Sequence, residues 1–235
     1  MFLKFSPFAA LAVAAISTIA SAQEQKVALR FLSFPQQDPA VPVELLLGEN
    51  KTIKVDTPGH ELSQRYIVPA LSSIVVGKTT TDKEGKPFFQ IYGQAKSIAA
   101  PEQIILLIRK GQQNSDGFVV LPIGADLKDF GGASFLFINA SKLRIGGLVG
   151  DQKLDISPGQ LKTLNPKANF DGDICQVTLS YLKEDTVKTF FDTRWPANKK
   201  VRSLVIFYQD PETGRLGLAP IMDIISTPPK PQTPP

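Results

Sequence analysis

Apolar residues along this chain come in short runs rich in Val, Ile, Leu and Phe, broken by Gly, Pro, Asn and Asp. Runs of about four to eight apolar residues between turn formers are the mark of strands, not of the longer 3.6-period stripe of helices. The pattern predicts strands at 27–34, 43–47, 52–55, 73–76, 88–92, 103–109 and 118–123. A second series follows at 134–139, 145–149, 153–156, 174–182, 186–191, 203–209 and 216–221, and only 125–130 reads as a helical turn. The class expected is all-β.

The two series resemble one another at a period of about 100 residues, the kind of internal repeat that sets a fold. Leu46-Leu47-Gly48-Glu49-Asn50-Lys51 recurs as Leu148-Val149-Gly150-Asp151-Gln152-Lys153, and a Pro-Gly pair follows each, at Pro58-Gly59 and Pro158-Gly159. Phe88-Phe89 is matched with Phe190-Phe191, 104–108 with 204–208, and Leu121-Pro122-Ile123 with Ala219-Pro220-Ile221. The expectation is two tandem immunoglobulin-like β-sandwich units, at 23–124 and 133–225. Gly131-Gly132 suggests a hinge in the linker 125–132.

Each series ends in a predicted hairpin, through 112–117 in the first and Asp210-Pro211-Glu212-Thr213-Gly214 in the second. Gly supplies the positive φ of such turns and Pro presets the first turn residue. The strands before them, 104–108 and 204–208, are apolar at every position. That predicts strands covered on both faces, or strands at the contact between the units.

The termini carry a different composition. Lys4, an apolar run over 8–16 and the triplet Ala20-Ser21-Ala22 read as a cleavable secretory signal at 1–22. A bilayer span needs about 20 apolar residues, and Pro7, Ser17 and Thr18 interrupt this run. No cysteine stands at the cut, so no lipid anchor is expected there, and no later segment is apolar enough to span. The product is expected to be exported, periplasmic or extracellular. The Pro-rich tail 226–235 has no apolar residues to bury and predicts a disordered tether.

A formal charge of +4, with acids and bases interspersed, does not make the concentrated basic face that nucleic acid requires. One cysteine, Cys175, excludes an internal disulfide framework. In the alternation of 174–181 it shares a face with Val177, Leu179 and Tyr181 and reads as a core residue. The only histidine, His60, follows Pro58-Gly59 in a turn, without a second histidine to help it hold a metal. No Gly-x-Ser-x-Gly elbow, Rossmann or Walker glycine pattern or complete calcium loop occurs, and Asp171-Gly172-Asp173 reads as a turn. No cofactor is implied.

The segment Thr193 to Arg202 holds the only tryptophan and four basic residues. Arg194, Trp195, Lys199, Lys200 and Arg202 form the candidate binding cluster, because an aromatic plate beside cations holds glycans, anionic polymers or partner proteins. The alternative is an indole closing the core rim above a solvated loop.

Several stretches resemble a family of uncharacterised secreted bacterial proteins of the verrucomicrobial type: Tyr66-Ile67-Val68-Pro69-Ala70-Leu71-Ser72, Phe135-Leu136-Phe137-Ile138-Asn139-Ala140-Ser141, and the run from Phe191 through Thr193-Arg194-Trp195-Pro196 to Arg215. The likeness covers most of the chain beyond the signal. It implies export and makes Arg194-Trp195-Pro196 a family feature, and it carries no activity. The expected function is a non-catalytic binding or structural module whose partner is an envelope protein or glycan. Two alternatives stand beside it: a carboxylate-dependent hydrolase of polysaccharide or peptidoglycan, and a periplasmic chaperone that binds clients by strand addition.

Overall fold

The computed structural model describes residues 25–35, 42–49, 51–110, 117–167, 173–184, 186–210 and 213–225. The predicted signal, the Pro-rich tail, most of the 112–117 loop, Pro211 and the Asp171-Gly172 pair lie outside them. Among the described residues there are sixteen strands and no helix. The first eight are β1 (Lys26–Phe34), β2 (Val43–Gly48), β3 (Lys51–Val55), β4 (Tyr66–Pro69), β5 (Ser73–Thr81), β6 (Pro87–Lys96), β7 (Glu102–Arg109) and β8 (Phe118–Gly124). The second eight are β9 (Phe135–Asn139), β10 (Ile145–Val149), β11 (Gln152–Ile156), β12 (Leu161–Leu164), β13 (Ile174–Lys183), β14 (Thr186–Pro196), β15 (Val201–Gln209) and β16 (Leu216–Ile224).

The second series repeats the first strand for strand. Sheets β4-β1-β7-β8 and β3-β2-β5-β6 form one sandwich, and β12-β9-β15-β16 and β11-β10-β13-β14 form the other. β1 runs antiparallel to β4 and parallel to β7, and β9 treats β12 and β15 in the same way. The register supports most of the sequence matches: Pro122 stands opposite Ile105 and Pro220 opposite Val205.

One match shifts. The β5–β6 ladder slips between Val76 and Gly77, and the β13–β14 ladder slips at the corresponding Leu179 and Ser180. Gly93 pairs with Val76 and Phe191 with Leu179, so Phe191 occupies the place of Gly93 and Phe190 that of Tyr92. Phe88-Phe89 and Phe190-Phe191 therefore share a strand but not a height. Each bulge inserts one residue that composition alone does not reveal.

Among the described residues three apolar clusters form the core. The first sandwich encloses Leu29, Phe31, Leu45, Val76, Ile105 and Leu107, and the second encloses Phe137, Leu154, Cys175, Val177, Val205 and Phe207. The third joins the units: Leu32, Ile104 and Leu106 pack with Leu136, Ile206 and Ile221, and the linker adds Ala125 and Phe130. This explains the unbroken apolar runs of β7 and β15. Alternate side chains enter a unit's own core and the cluster between units, so both faces are buried.

The linker is packed, and the expected hinge at Gly131-Gly132 is a close crossing instead. A Cβ on Gly132 would lie 1.8 Å from the Lys199 carbonyl oxygen, so only glycine lets the two backbones approach. The single turn at 126–130 is present, with the Phe130 N–H bonded to the Asp126 carbonyl at 2.8 Å. β4 and β12, the short edge strands of their sheets, had no sequence signal of their own.

Candidate functional site

β14 extends through Pro196, so Arg194 and Trp195 alternate across it. The Trp195 indole turns inward, with ring centroids 5.5 Å from Phe135, 6.3 Å from Phe137 and 5.4 Å from Phe191. Arg194 is exposed on the other face, opposite Gln176. Lys199 and Lys200 are exposed in the turn before β15. Arg202 is only 1% exposed. The five residues thus comprise three exposed cations, a half-buried indole and an arginine enclosed in the protein, and they do not share one face.

Arg202 is the centre of a buried ionic network between the units. Its Nε donates to Asp223 Oδ2 at 2.7 Å, and Nη1 donates to the carbonyls of Ala125 (2.7 Å) and Phe130 (2.9 Å). Its guanidinium carbon lies 4.8 Å from the Phe130 ring centroid, and Nη2 is 3.5 Å from Glu102 Oε1. Asp223, 4% exposed, also accepts from Arg30 Nη1 at 2.6 Å. Arg30 Nε reaches the Ser63 carbonyl at 2.9 Å, and Arg65 forks onto the Glu102 carboxylate at 3.2 Å. Arg30, Arg65 and Glu102 come from the first unit and Arg202 and Asp223 from the second. Multiple hydrogen bonds on each buried charge are what make such burial tolerable.

A second feature distinguishes the units. In the first, β6 comes down on β8 and closes that side of the sandwich: a Cβ on Gly93 would sit 2.6 Å from the Phe118 carbonyl oxygen, and Tyr92 packs 6.5 Å from the Phe118 ring. Phe118 and Val120 are consequently 3% and 6% exposed. In the second, Phe191 replaces the glycine and packs on Trp195, and β14 does not make the corresponding seam with β16. A phenyl ring at the crossing keeps two backbones apart. On that face of β16, Leu216 and Leu218 are partly buried against the second core, and the exposed residues are at its end: Pro220, Met222 (63%) and Ile224 (73%). Phe190, Phe191 and Trp195 are partly exposed at the same corner.

The remaining candidates are simpler. A shallow depression of about 710 Å³ is lined by Asp56, Glu61, Leu62 and Gln64 among others. Both acids are exposed, and Asp56 accepts a hydrogen bond from the Tyr66 hydroxyl at 3.0 Å. His60 is exposed in the neighbouring bend. Cys175 is fully buried, and burial pushes its thiol pKa up, which keeps it neutral and unreactive. Among the described residues no three His, Cys, Asp or Glu side chains converge as metal ligands, and no helix is long and apolar enough to cross a membrane.

Sequence reasoning missed both the network and the exposed end of β16. The predicted last strand stopped at Ile221, whereas β16 continues through Ile224. The available signal was Asp223, an acid between two large apolar residues, at a position where a strand would turn it inward. Comparison of the chain with protein-family models and with curated proteins returns no match.

Proposed function

We propose that this is an exported, periplasmic or extracellular, non-catalytic binding protein whose contact surface is the β14–β16 corner of the second unit. One observation carries the reading: β16 ends in two large apolar side chains, Met222 and Ile224, both more than half exposed, where the matching positions of the first unit carry Gly124 and Asp126. Fully covering a Met or Ile side chain contributes about 1.5–3 kcal/mol, so two left open on one strand face supply affinity to whatever covers them. A contiguous apolar patch rimmed by polar groups is the ordinary character of an interaction site. Lys199 and Lys200 supply that rim, Trp195 forms part of the half-buried floor, and Arg194 lies on the opposite face of β14. Arg202 belongs instead to the ionic network that joins the units.

The test is retention of envelope components by the immobilised mature chain. Capture should be lost in a Met222→Lys, Ile224→Lys double variant and kept in Ile67→Lys, which alters an equally exposed residue on β4 of the first unit. Equal capture by all three proteins would reject this surface.

A further inference from the structure

We propose that the Pro-rich tail 226–235 folds back onto the first unit as a polyproline II segment, its prolines on the floor of the depression beside Leu62 and its Lys230 between Asp56 and Glu61. The proposal names the occupant of a second surface and does not depend on the reading of the β16 end.

The depression has the build of a groove for such a segment. It lies where the chain leaves β3 and crosses to β4, and its volume of about 710 Å³ is in the ordinary range of ligand clefts. The floor is apolar: Val55 and Leu62 are 6% and 7% exposed, and Pro42 and Pro58 flank them. Asp56, Glu61 and Gln64 stand exposed around it. The Tyr66 hydroxyl, donating to Asp56 Oδ2 at 3.0 Å, holds that carboxylate at the rim. An apolar floor with an acidic rim fits a segment that is apolar along one edge and carries a cation on the next.

The tail has that pattern. A polyproline II helix has three residues per turn and rises about 3.1 Å per residue, so positions three apart share an edge. Pro228, Pro231 and Pro234 fall on one edge, and Lys230, the tail's one charged side chain, falls on another. Proline loses no rotamer freedom on burial, and its ring presets φ, so ordering such a segment costs less than ordering other sequences.

The fold delivers the tail to the groove. β16 ends at Ile224, and the Ile225 N–H bonds the Lys200 carbonyl at 2.8 Å. Just before that end, Asp223 accepts from Arg30 Nη1 at 2.6 Å, and Arg30 Nε donates to the Ser63 carbonyl at 2.9 Å. Ser63 lines the depression. A single guanidinium thus spans the gap between the strand that launches the tail and the segment that forms the groove. From Ile225 to Lys230 the chain covers about 16 Å at the polyproline II rise, and the lysine stem extends that reach. A tethered segment meets its site at an effective concentration of millimolar order, so a weak contact is still populated.

A nitroxide on Gln232→Cys tests this in the full mature chain, because the one native thiol, Cys175, is fully buried. Paramagnetic broadening of methyl signals should be strong at Val55 and Leu62 and small at Leu182, on the β13–β14 hairpin of the second unit. Lys230→Glu should cut the broadening at Val55 and Leu62 roughly threefold, as should Asp56→Asn, Glu61→Gln, and added salt should do the same to the parent. Pro228→Gly, Pro231→Gly, Pro234→Gly should abolish it. A mixture of nitroxide-bearing, isotope-free chain with nitroxide-free, isotope-labelled chain should show none. No broadening at Val55 and Leu62, broadening centred on Met222 and Ile224 instead, equal broadening in the mixture, or indifference to either set of tail substitutions would each overturn the proposal. None of these tail variants alters Met222 or Ile224, so envelope capture through the β16 end is tested separately.

Discussion

Replacing Asp223 by Asn keeps the shape of the side chain and removes only its charge, which makes it the cleanest probe of the network between the units. The carboxylate receives Arg202 Nε at 2.7 Å and Arg30 Nη1 at 2.6 Å, one on each oxygen. An amide has one acceptor oxygen, so one arginine would face an NH2 group. Arg65 and Arg202 would then rely on Glu102, and Arg30 would keep its bond to the Ser63 carbonyl. Breaking a buried pair by neutralising one partner costs about 3–5 kcal/mol, because the other charge stays in the interior without its counter-ion. Arg202 at 1% exposure is such a charge, and the expected loss for Asp223→Asn lies in that range. Arg202→Met costs less than that in charge terms but strips a donor from the Ala125 and Phe130 carbonyls, at about 1–3 kcal/mol for a buried group left unpaired. The double variant should cost less than the sum of the singles by about 1–3 kcal/mol, since each substitution removes what the other leaves stranded. Urea unfolding followed by Trp195 fluorescence and far-ultraviolet circular dichroism measures all four proteins. The two probes should coincide in the parent and separate in Asp223→Asn, because the indole reports the second unit alone. A loss below about 1 kcal/mol for Asp223→Asn, or additivity within about 0.5 kcal/mol, would refute this account of the network.

Other consequences are local. Gly132→Ala would force a Cβ to within 1.8 Å of the Lys199 carbonyl oxygen and should cost about 3 kcal/mol or more; Gly159→Ala, at φ +76° but in open space, should cost only about 1 kcal/mol, and urea midpoints rank the two. The Arg144 guanidinium, hydrogen-bonded to Asp155 at 2.6 and 2.8 Å, holds that carboxyl below the usual carboxylate range. An NMR titration of Arg144→Gln should return the Asp155 midpoint towards its ordinary value, and an unmoved midpoint would remove the pair as the cause. Burial raises the Cys175 thiol pKa, so the unfolded thiol ionises first. Its contribution to stability is fully present below the unfolded pKa of about 8.5 and is lost as pH rises through the folded value. Cys175→Ala should flatten the alkaline limb of a stability–pH curve, whatever it costs at neutral pH.

The repeat was legible because strands of one sandwich obey the same alternation wherever they occur. β7 and β15 announced themselves by their runs at 104–108 and 204–208, apolar at every position, and Cys175 by its place in an alternating strand. What stayed hidden depends on partners distant in the chain. Leu161-Lys162-Thr163-Leu164 is a strand because Phe135–Ile138 lie beside it, not through any propensity of its own. Arg202 sits in a run of lysines and read as one more surface cation, yet the strand alternation turns it towards Asp223, Ala125 and Phe130. Gly131-Gly132 had the composition of a hinge, and only the approach of Lys199 makes it a fixed crossing.

The duplication also sets the end of β16 apart. Both units carry a proline at the same height on their last strand, Pro122 and Pro220, so neither edge is a complete ladder for a further strand. Two residues beyond each proline the copies part: the first has Gly124 and the second Met222. At the crossing strand they part again, with Gly93 in the first and Phe191 in the second. The two differences act together. A glycine at the crossing lets the two backbones of the first unit meet, whereas in the second unit the Phe191 ring fills the space against Trp195 and the core beside Leu216 and Leu218. Beyond that packing the second unit carries Met222 and Ile224, both more than half exposed, where the first has Gly124 and Asp126, so the copies differ most in the apolar surface they present at the end of the last strand.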